Sequence, residues 1–151
     1  MLSNIQSLLH AARSRHYPVI FIQHESAAGS PFEPHSEGWQ IVEAVAPLPT
    51  EPVFGKRFNS AFKETPLQAY LQDLQITHLV IAGMQTEYCI ETTVRVGFEF
   101  GYHITLPADA NSTLDHGEWT AEMLHRHHNI DVMDKRFATV CTTEAALSCF
   151  E

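Results

Sequence analysis

Three cysteines and ten histidines are the residues of this 151-residue chain best suited to nucleophilic, acid–base or metal chemistry. Cys89 has the most informative setting. It lies in the stretch 83–95, GMQTEYCIETTVR, directly after the apolar run 78–82, HLVIA. That run has the length and β-branched content of a buried strand. Gly83 breaks it, Thr86 can cap the helix that follows, and Cys89 then takes the third helical position. Its sulfur would face unpaired backbone N–H groups at the positive end of the helix. Such a setting favours the nucleophilic thiolate. The same N–H groups can hold an oxyanion on an attacked carbonyl. Two readings stand on this evidence: an activated nucleophile, or a small buried hydrophobe, a common fate of free cysteine.

The other polar candidates are less specific. Lys56 follows Gly55 at the end of a short apolar run and is flanked by Phe54 and Phe58. A lysine there can hold a cysteine as thiolate by its charge; an exposed lysine is the alternative. Asp109, in the loop PADANST, suits an Asx-turn in its own loop better than catalysis. His24 and His35 lack a supporting Asp-x-His or His-x-His pair, so no metal is expected. His125, His127 and His128 do not all share one helix face, which favours a helix-end role over ligation. Cys141 sits in an apolar run and reads as core, and Cys149 has no chemical context.

The elements that must position these groups follow from periodicity. Residues 2–15 read as a helix, with Ile5, Leu8, Leu9 and Ala12 on one face. Residues 18–23, PVIFIQ, read as a buried strand stopping at His24–Glu25. Residues 24–50 form a long connection rich in Gly, Pro, Ser and Glu, a length often functional in compact domains; Trp39 would pack it down as a lid or rim residue. Residues 52–54 suggest a short strand. Thr65–Pro66 starts a helix whose packed face carries Leu67, Tyr70, Leu71 and Leu74. The strand 78–82 follows, then the Cys89 helix ending at Gly101. The strand 102–106, a helix 118–128 with Trp119 and Met123 on one face, the strand 137–141 and a Thr142–Thr143-capped helix to Phe150 complete the chain. This alternation predicts a single three-layer α/β/α domain over 1–151 with a mostly parallel open sheet and right-handed crossovers. Ligands bind such sheets beyond the carboxyl ends of the strands. Cys89, His24, Lys56 and Asp109 all follow strand ends.

Composition sets the outer limits. With a net charge of −9 and only 9 lysines and arginines there is no basic stripe, so nucleic acid is not an expected partner. No apolar run reaches membrane-spanning length. The first fifteen residues lack the basic and apolar regions of a signal peptide. An odd number of cysteines without paired spacing suits a reducing, cytoplasmic setting.

The segments PVIFIQH, FGKRFNSAFKETPLQAYL, HLVIAGMQTEYCIETTVR, GYHITLPADANST and ATVCTTEAAL, in this order, resemble the isochorismatase-like cysteine hydrolases over most of the chain. A lysine shortly before SAF combined with G-x-x-T-x-x-C carries the likeness. The resemblance implies a Rossmann-like sheet and a Cys–Lys–Asp triad, in which Cys89 matches the nucleophile and Lys56 the lysine. It implies a cis peptide at Met84–Gln85 and an oxyanion hole from the N–H groups of Gln85 and Cys89. Pocket walls are expected from His24, Trp39, Phe58 and Tyr88. No residue matches the triad aspartate, which in the family ends a central first strand. The chain is therefore expected to be N-terminally incomplete, with unpaired edges on either side of the absent strand.

The metal-dependent branch of the family carries an Asp-x-His pair that His24–Glu25–Ser26 does not match, so neither metal nor cofactor is expected. Vinyl-ether-cleaving isochorismatases typically lack the cysteine. The implied activity is hydrolysis of a small amide, lactam or related C–N bond through a thioester. The family is often dimeric or tetrameric, so a homo-oligomer is expected. The alternative function is a non-catalytic remnant of the fold acting as an interaction module. A nucleotide-binding module is disfavoured, because no glycine-rich phosphate loop follows a strand.

Overall fold

The structure, a computed structural model, describes residues 1–150. Its strands are short and parallel. β1 (Phe21–His24) pairs with β2 (Val53–Lys56), setting Phe21 opposite Val53 and His24 opposite Lys56. β3 (His78–Val80), β5 (His103–Pro107) and β7 (Thr139–Cys141) form a second parallel sheet in the order β3-β5-β7. A third parallel pair joins β4 (Gly83–Met84) to β6 (Asn111–Ser112). Among the described residues no ladder links β1 to β3.

Side-chain packing unites what the ladders leave apart. Ile22 and Phe54 from the first pair lie against the same buried cluster as Ile104 and Leu106 from β5. Successive strand residues point to opposite faces, and the two cores divide accordingly. Leu79, Ile81 and Val140 join α2 (Leu67–Asp73) and α3 (Glu91–Glu99) through Leu71 and Val94, with Ile90 just before α3 in the same cluster. Val80, Ala82 and Cys141 face α1 (Leu2–Ser14) and α5 (Thr143–Ala146) through Leu8, Ala12 and Ala146. Helices therefore cover both sides of the strands, giving the predicted three-layer α/β fold with mostly parallel open sheets.

Boundaries moved where tertiary contacts overrode the local pattern. The first strand begins at Phe21, because the ladder with β2 begins there, and it includes His24. Its residues are half-buried rather than enclosed on both faces. The expected helix 118–128 is narrower at its start: α4 runs Ala121–Arg126. A two-way bridge between the backbones of His116 and Trp119 holds the preceding residues in a turn. The Thr120 hydroxyl then accepts the Met123 N–H at 3.2 Å as the cap. Beyond Arg126 the chain continues as a π-helical segment, His127–Met133. Trp119 and Met123 do share the outside of this region, both half exposed, and make no core face. Leu74 also ends exposed, because α2 has already stopped.

The end of α3 follows its sequence signal closely. Gly101 has φ +89°, its N–H donates to Phe98 O at 2.9 Å, and Tyr102 N–H donates to Gly97 O at 3.1 Å. This is a Schellman closure, which a residue without Cβ adopts at least cost. It aims Tyr102 and β5 back through the core.

Candidate active site

Lys56 is the last residue of β2 and is only 5% exposed, which rules out the solvated-lysine reading. Its Nζ donates to Phe58 O at 2.8 Å, Asn59 O at 2.7 Å and Cys89 Sγ at 3.0 Å. An ammonium has three hydrogens to give, so all are engaged. Two neutral carbonyls fix the cation, and the third direction delivers it to the sulfur.

The loop supplying those carbonyls is tied to the helix carrying the cysteine. Ala61 N–H donates to Thr93 Oγ1 at 3.1 Å, and Thr93 lies four residues beyond Cys89. Phe62 N–H donates to Ser60 Oγ at 3.1 Å. The Thr65 hydroxyl donates to Ala61 O at 2.5 Å and accepts Leu67 N–H at 3.3 Å as α2 begins. The SAF segment therefore locks the Lys56 loop against α3.

Cys89 is half-buried within a π-helical turn, Thr86–Ile90, that leads into α3. Single π turns concentrate at functional sites. The Met84–Gln85 peptide is cis, and Gln85 is the residue that caps the turn. Thr86 does not act as the N-cap expected of it. It is fully buried, and its hydroxyl donates to Asn111 Oδ1 at 2.7 Å. Asn111 in turn exchanges side-chain hydrogen bonds with Asn129 at 3.0 and 3.1 Å. Neither asparagine stood out in the sequence. Their roles depend on partners 18 and 25 residues away, a separation that no local pattern reports.

His24 lies directly across from Lys56 in the β1–β2 register. In parallel strands, residues so paired present their side chains on the same face. Its Nδ1 is buried without a hydrogen-bond partner among the described residues, and its ring meets Phe32 edge-on at 6.0 Å. Burial, and then the Lys56 charge, push the imidazole below its usual range; Glu25 partly opposes them. Glu25 occupies the other face. A Cβ on Gly55 would lie 2.4 Å from the Glu25 carboxylate, and Gly55 and Lys56 point to opposite sides of their strand.

The remaining expected wall residues are less convergent. Phe58 contributes its carbonyl to Lys56, while its ring carries the Lys63 ammonium at 3.8 Å. The Trp39 carbonyl accepts from Gln23 Nε2 at 2.7 Å, and its ring packs on His35 at 5.2 Å. Tyr88 is exposed and its hydroxyl meets His116 Nδ1 at 3.2 Å. Met84 is exposed.

Residues read as structural take structural positions. Asp109 Oδ1 accepts from the N–H and the hydroxyl of Thr143, each at 2.7 Å. It therefore anchors α5 rather than forming the Asx-turn expected in its own loop. His125 Nε2 meets Ala108 O at 2.7 Å, His127 pairs with Asp131 and His128 with Glu91. Burial pushes the Cys141 thiol up, assisted by Cys149 and Asp109. Among the described residues no cluster of His, Cys, Asp and Glu is arranged for a metal, and no helix is long and apolar enough to cross a membrane.

Comparison with known proteins places these features in context. The family model described as the isochorismatase domain matches residues 1–145. The Bacillus subtilis (strain 168) isochorismatase family protein YrdC is 32% identical over 152 residues, covering 97% of this chain and 81% of that protein. A streptothricin hydrolase of Streptomyces noursei is 34% identical over 115 residues, covering 76% of this chain and 42% of its own length. The solved structure of a cysteine hydrolase from Pseudomonas syringae pv. phaseolicola 1448A superposes with TM-score 0.88 at 26% identity, covering 99% of this chain and 79% of that one. The match to the family model begins at residue 1 of this chain, and the chain spans 81% of the length of YrdC.

Proposed function

The chain belongs to the isochorismatase family of hydrolases, and from that membership we infer that it is a cysteine hydrolase cleaving a small amide or related C–N bond. The carrying observation is the 3.0 Å contact from the buried Lys56 Nζ to Cys89 Sγ. A fixed ammonium at that distance favours negative charge on sulfur and is present before substrate arrives. The relative named as a streptothricin hydrolase and the solved structure named as a cysteine hydrolase support the same reading.

In this reading Cys89 Sγ attacks the carbonyl carbon and the C=O pair moves to oxygen. The N–H groups of Gln85 and Cys89 receive that oxyanion. Collapse breaks the C–N bond, and the amine leaves with a proton. Water then hydrolyses the thioester and returns the electron pair to sulfur beside Lys56. His24, Trp39, Phe58 and Tyr88 form the walls of a small-molecule pocket. The setting is reducing and cytoplasmic, in keeping with three free cysteines, and the assembly is a homo-oligomer.

The test uses the protein's own cysteines as controls. Iodoacetamide at neutral pH, followed by peptide mass spectrometry, is expected to label Cys89 well ahead of Cys141 and Cys149, with an acetyl adduct on Cys89 after 4-nitrophenyl acetate. Labelling of Cys89 no faster than Cys141, with no acetyl adduct, would overturn the reading in favour of a non-enzymatic module.

A further inference from the structure

Glu25 and Arg57 leave neighbouring strand ends on the same side. The Glu25 N–H donates to Lys56 O at 2.8 Å, which carries the β1–β2 pairing one residue past its last register pair, His24 with Lys56. Side chains alternate along a strand, so Glu25 and Arg57 emerge opposite to His24 and Lys56. Gly55 faces the same way as Arg57 and leaves room for the Glu25 carboxylate, since a Cβ there would lie 2.4 Å from Glu25 Oε1.

These two side chains line one cavity of about 530 Å³, with Ser26, Ala27 and Pro34 as the rest of its wall. Small-molecule sites span roughly 300–1,000 Å³, and open α/β sheets take ligands at the carboxyl ends of their strands. The loop forming the wall is held by its own hydrogen bonds. Ser26 N–H donates to Phe32 O at 3.0 Å, Ser30 N–H to Ala27 O at 3.1 Å, and Gly29 N–H to Glu33 Oε2 at 2.7 Å. Neither Lys56 nor Cys89 lines the cavity, so its ligand need not be the hydrolysed amide.

Charge selects the class of ligand. Among the described residues neither Glu25 nor Arg57 forms an ion pair, with the other or with a third group. The cavity therefore offers one uncommitted carboxylate and one uncommitted guanidinium. A simple anion would gain from Arg57, lose to Glu25 and approach a chain of net charge −9. A simple cation would gain from Glu25 and lose to Arg57. A molecule bearing both charges gains from both walls: the guanidinium fork receives its carboxylate, and Glu25 accepts from its ammonium. Ala27 and Pro34 add apolar contact, which suits a small uncharged side chain.

We propose that this cavity binds a small zwitterion of the α-amino acid class, with its carboxylate on Arg57 and its ammonium on Glu25. NMR titration of the whole chain with L-alanine tests this. Two probes each lack one charge: ethylamine has no carboxylate and propionate has no amine. L-Alanine should bind saturably and shift the backbone amide signals of Ser26, Ala27 and Arg57. Ethylamine and propionate should each bind at least about tenfold more weakly, since each forfeits a charge-assisted contact. Glu25→Gln and Arg57→Gln should weaken L-alanine binding by a similar factor. Arg57→Lys, which keeps the charge and loses the fork, should weaken it less than Arg57→Gln. Iodoacetamide labelling of Cys89 should be unchanged in all three variants, which separates this site from the nucleophile. No saturable binding of L-alanine to the wild-type protein overturns the proposal. So does undiminished binding in both glutamine variants, or propionate or ethylamine binding as tightly as L-alanine.

Discussion

Asn111→Ala removes the hub of the polar network behind the Cys89 turn. Asn111 is 3% exposed and makes four side-chain hydrogen bonds: it accepts from Thr86 Oγ1 and Asn129 Nδ2 and donates to Pro107 O and Asn129 Oδ1. After truncation the Thr86 hydroxyl loses its acceptor and Asn129 Oδ1 loses its donor, and both residues are 0% exposed. Asn129 Nδ2 keeps its 2.8 Å bond to His125 O. Each buried group left unsatisfied costs about 1–3 kcal/mol, so two give a loss of about 2–6 kcal/mol. Urea unfolding followed by tryptophan fluorescence measures it. The double variant Thr86→Val with Asn111→Ala removes the stranded hydroxyl, and should be less destabilised than the sum of the singles by about 1–3 kcal/mol. A single-variant loss below about 1 kcal/mol, or simple additivity of the pair, would refute the assignment of a coupled network centred on Asn111.

Three further outcomes follow from other parts of the molecule. Lys56→Met should slow iodoacetamide labelling of Cys89 at neutral pH severalfold, since it removes the charged donor that lies 3.0 Å from the sulfur; labelling kinetics by mass spectrometry check this. Gly101→Ala should cost about 1–2 kcal/mol in thermal or urea unfolding, because φ +89° crowds a Cβ. Glu51→Gln breaks the fork in which Arg13 Nε and Nη2 reach the two carboxylate oxygens at 2.8 and 2.7 Å, and should cost about 1.5–3 kcal/mol near neutral pH. Chiefly the Arg13 hydrogen bonds hold the Glu51 carboxyl below its usual range, so its contribution is present above the ordinary carboxylate value and lost as pH falls through the depressed one. Stability measured from neutral to acid pH should therefore fall less steeply in the variant than in the wild-type protein.

Much of this molecule is written in short-range patterns. The apolar periodicity of residues 2–14 and 67–71, the alternation of helices with β-rich runs, Gly101 as a helix terminator and Thr142 as a cap all depend on neighbours within a few positions. They appear in the structure close to where they were expected. The GMQTEYC and GKRFNSAF segments marked Cys89 and Lys56 for the same reason. Strand ends were less legible: Phe21–His24 is defined by its ladder with Val53–Lys56, across a connection of nearly thirty residues.

The sequence by itself determined the fold class and, through its resemblance to a family, singled out Cys89 and Lys56, because periodicity, turn chemistry and motif spacing are local properties of the chain. Tertiary structure alone decided what those residues meet. Burial turned Lys56 from a plausible surface residue into a fully engaged cation 3.0 Å from sulfur. It drew Thr86 away from capping to a buried asparagine pair, and sent Asp109 to the start of α5. The physical reason is the same in each case. A buried polar group must find a partner, and its partner is set by the packing of distant segments rather than by adjacent residues.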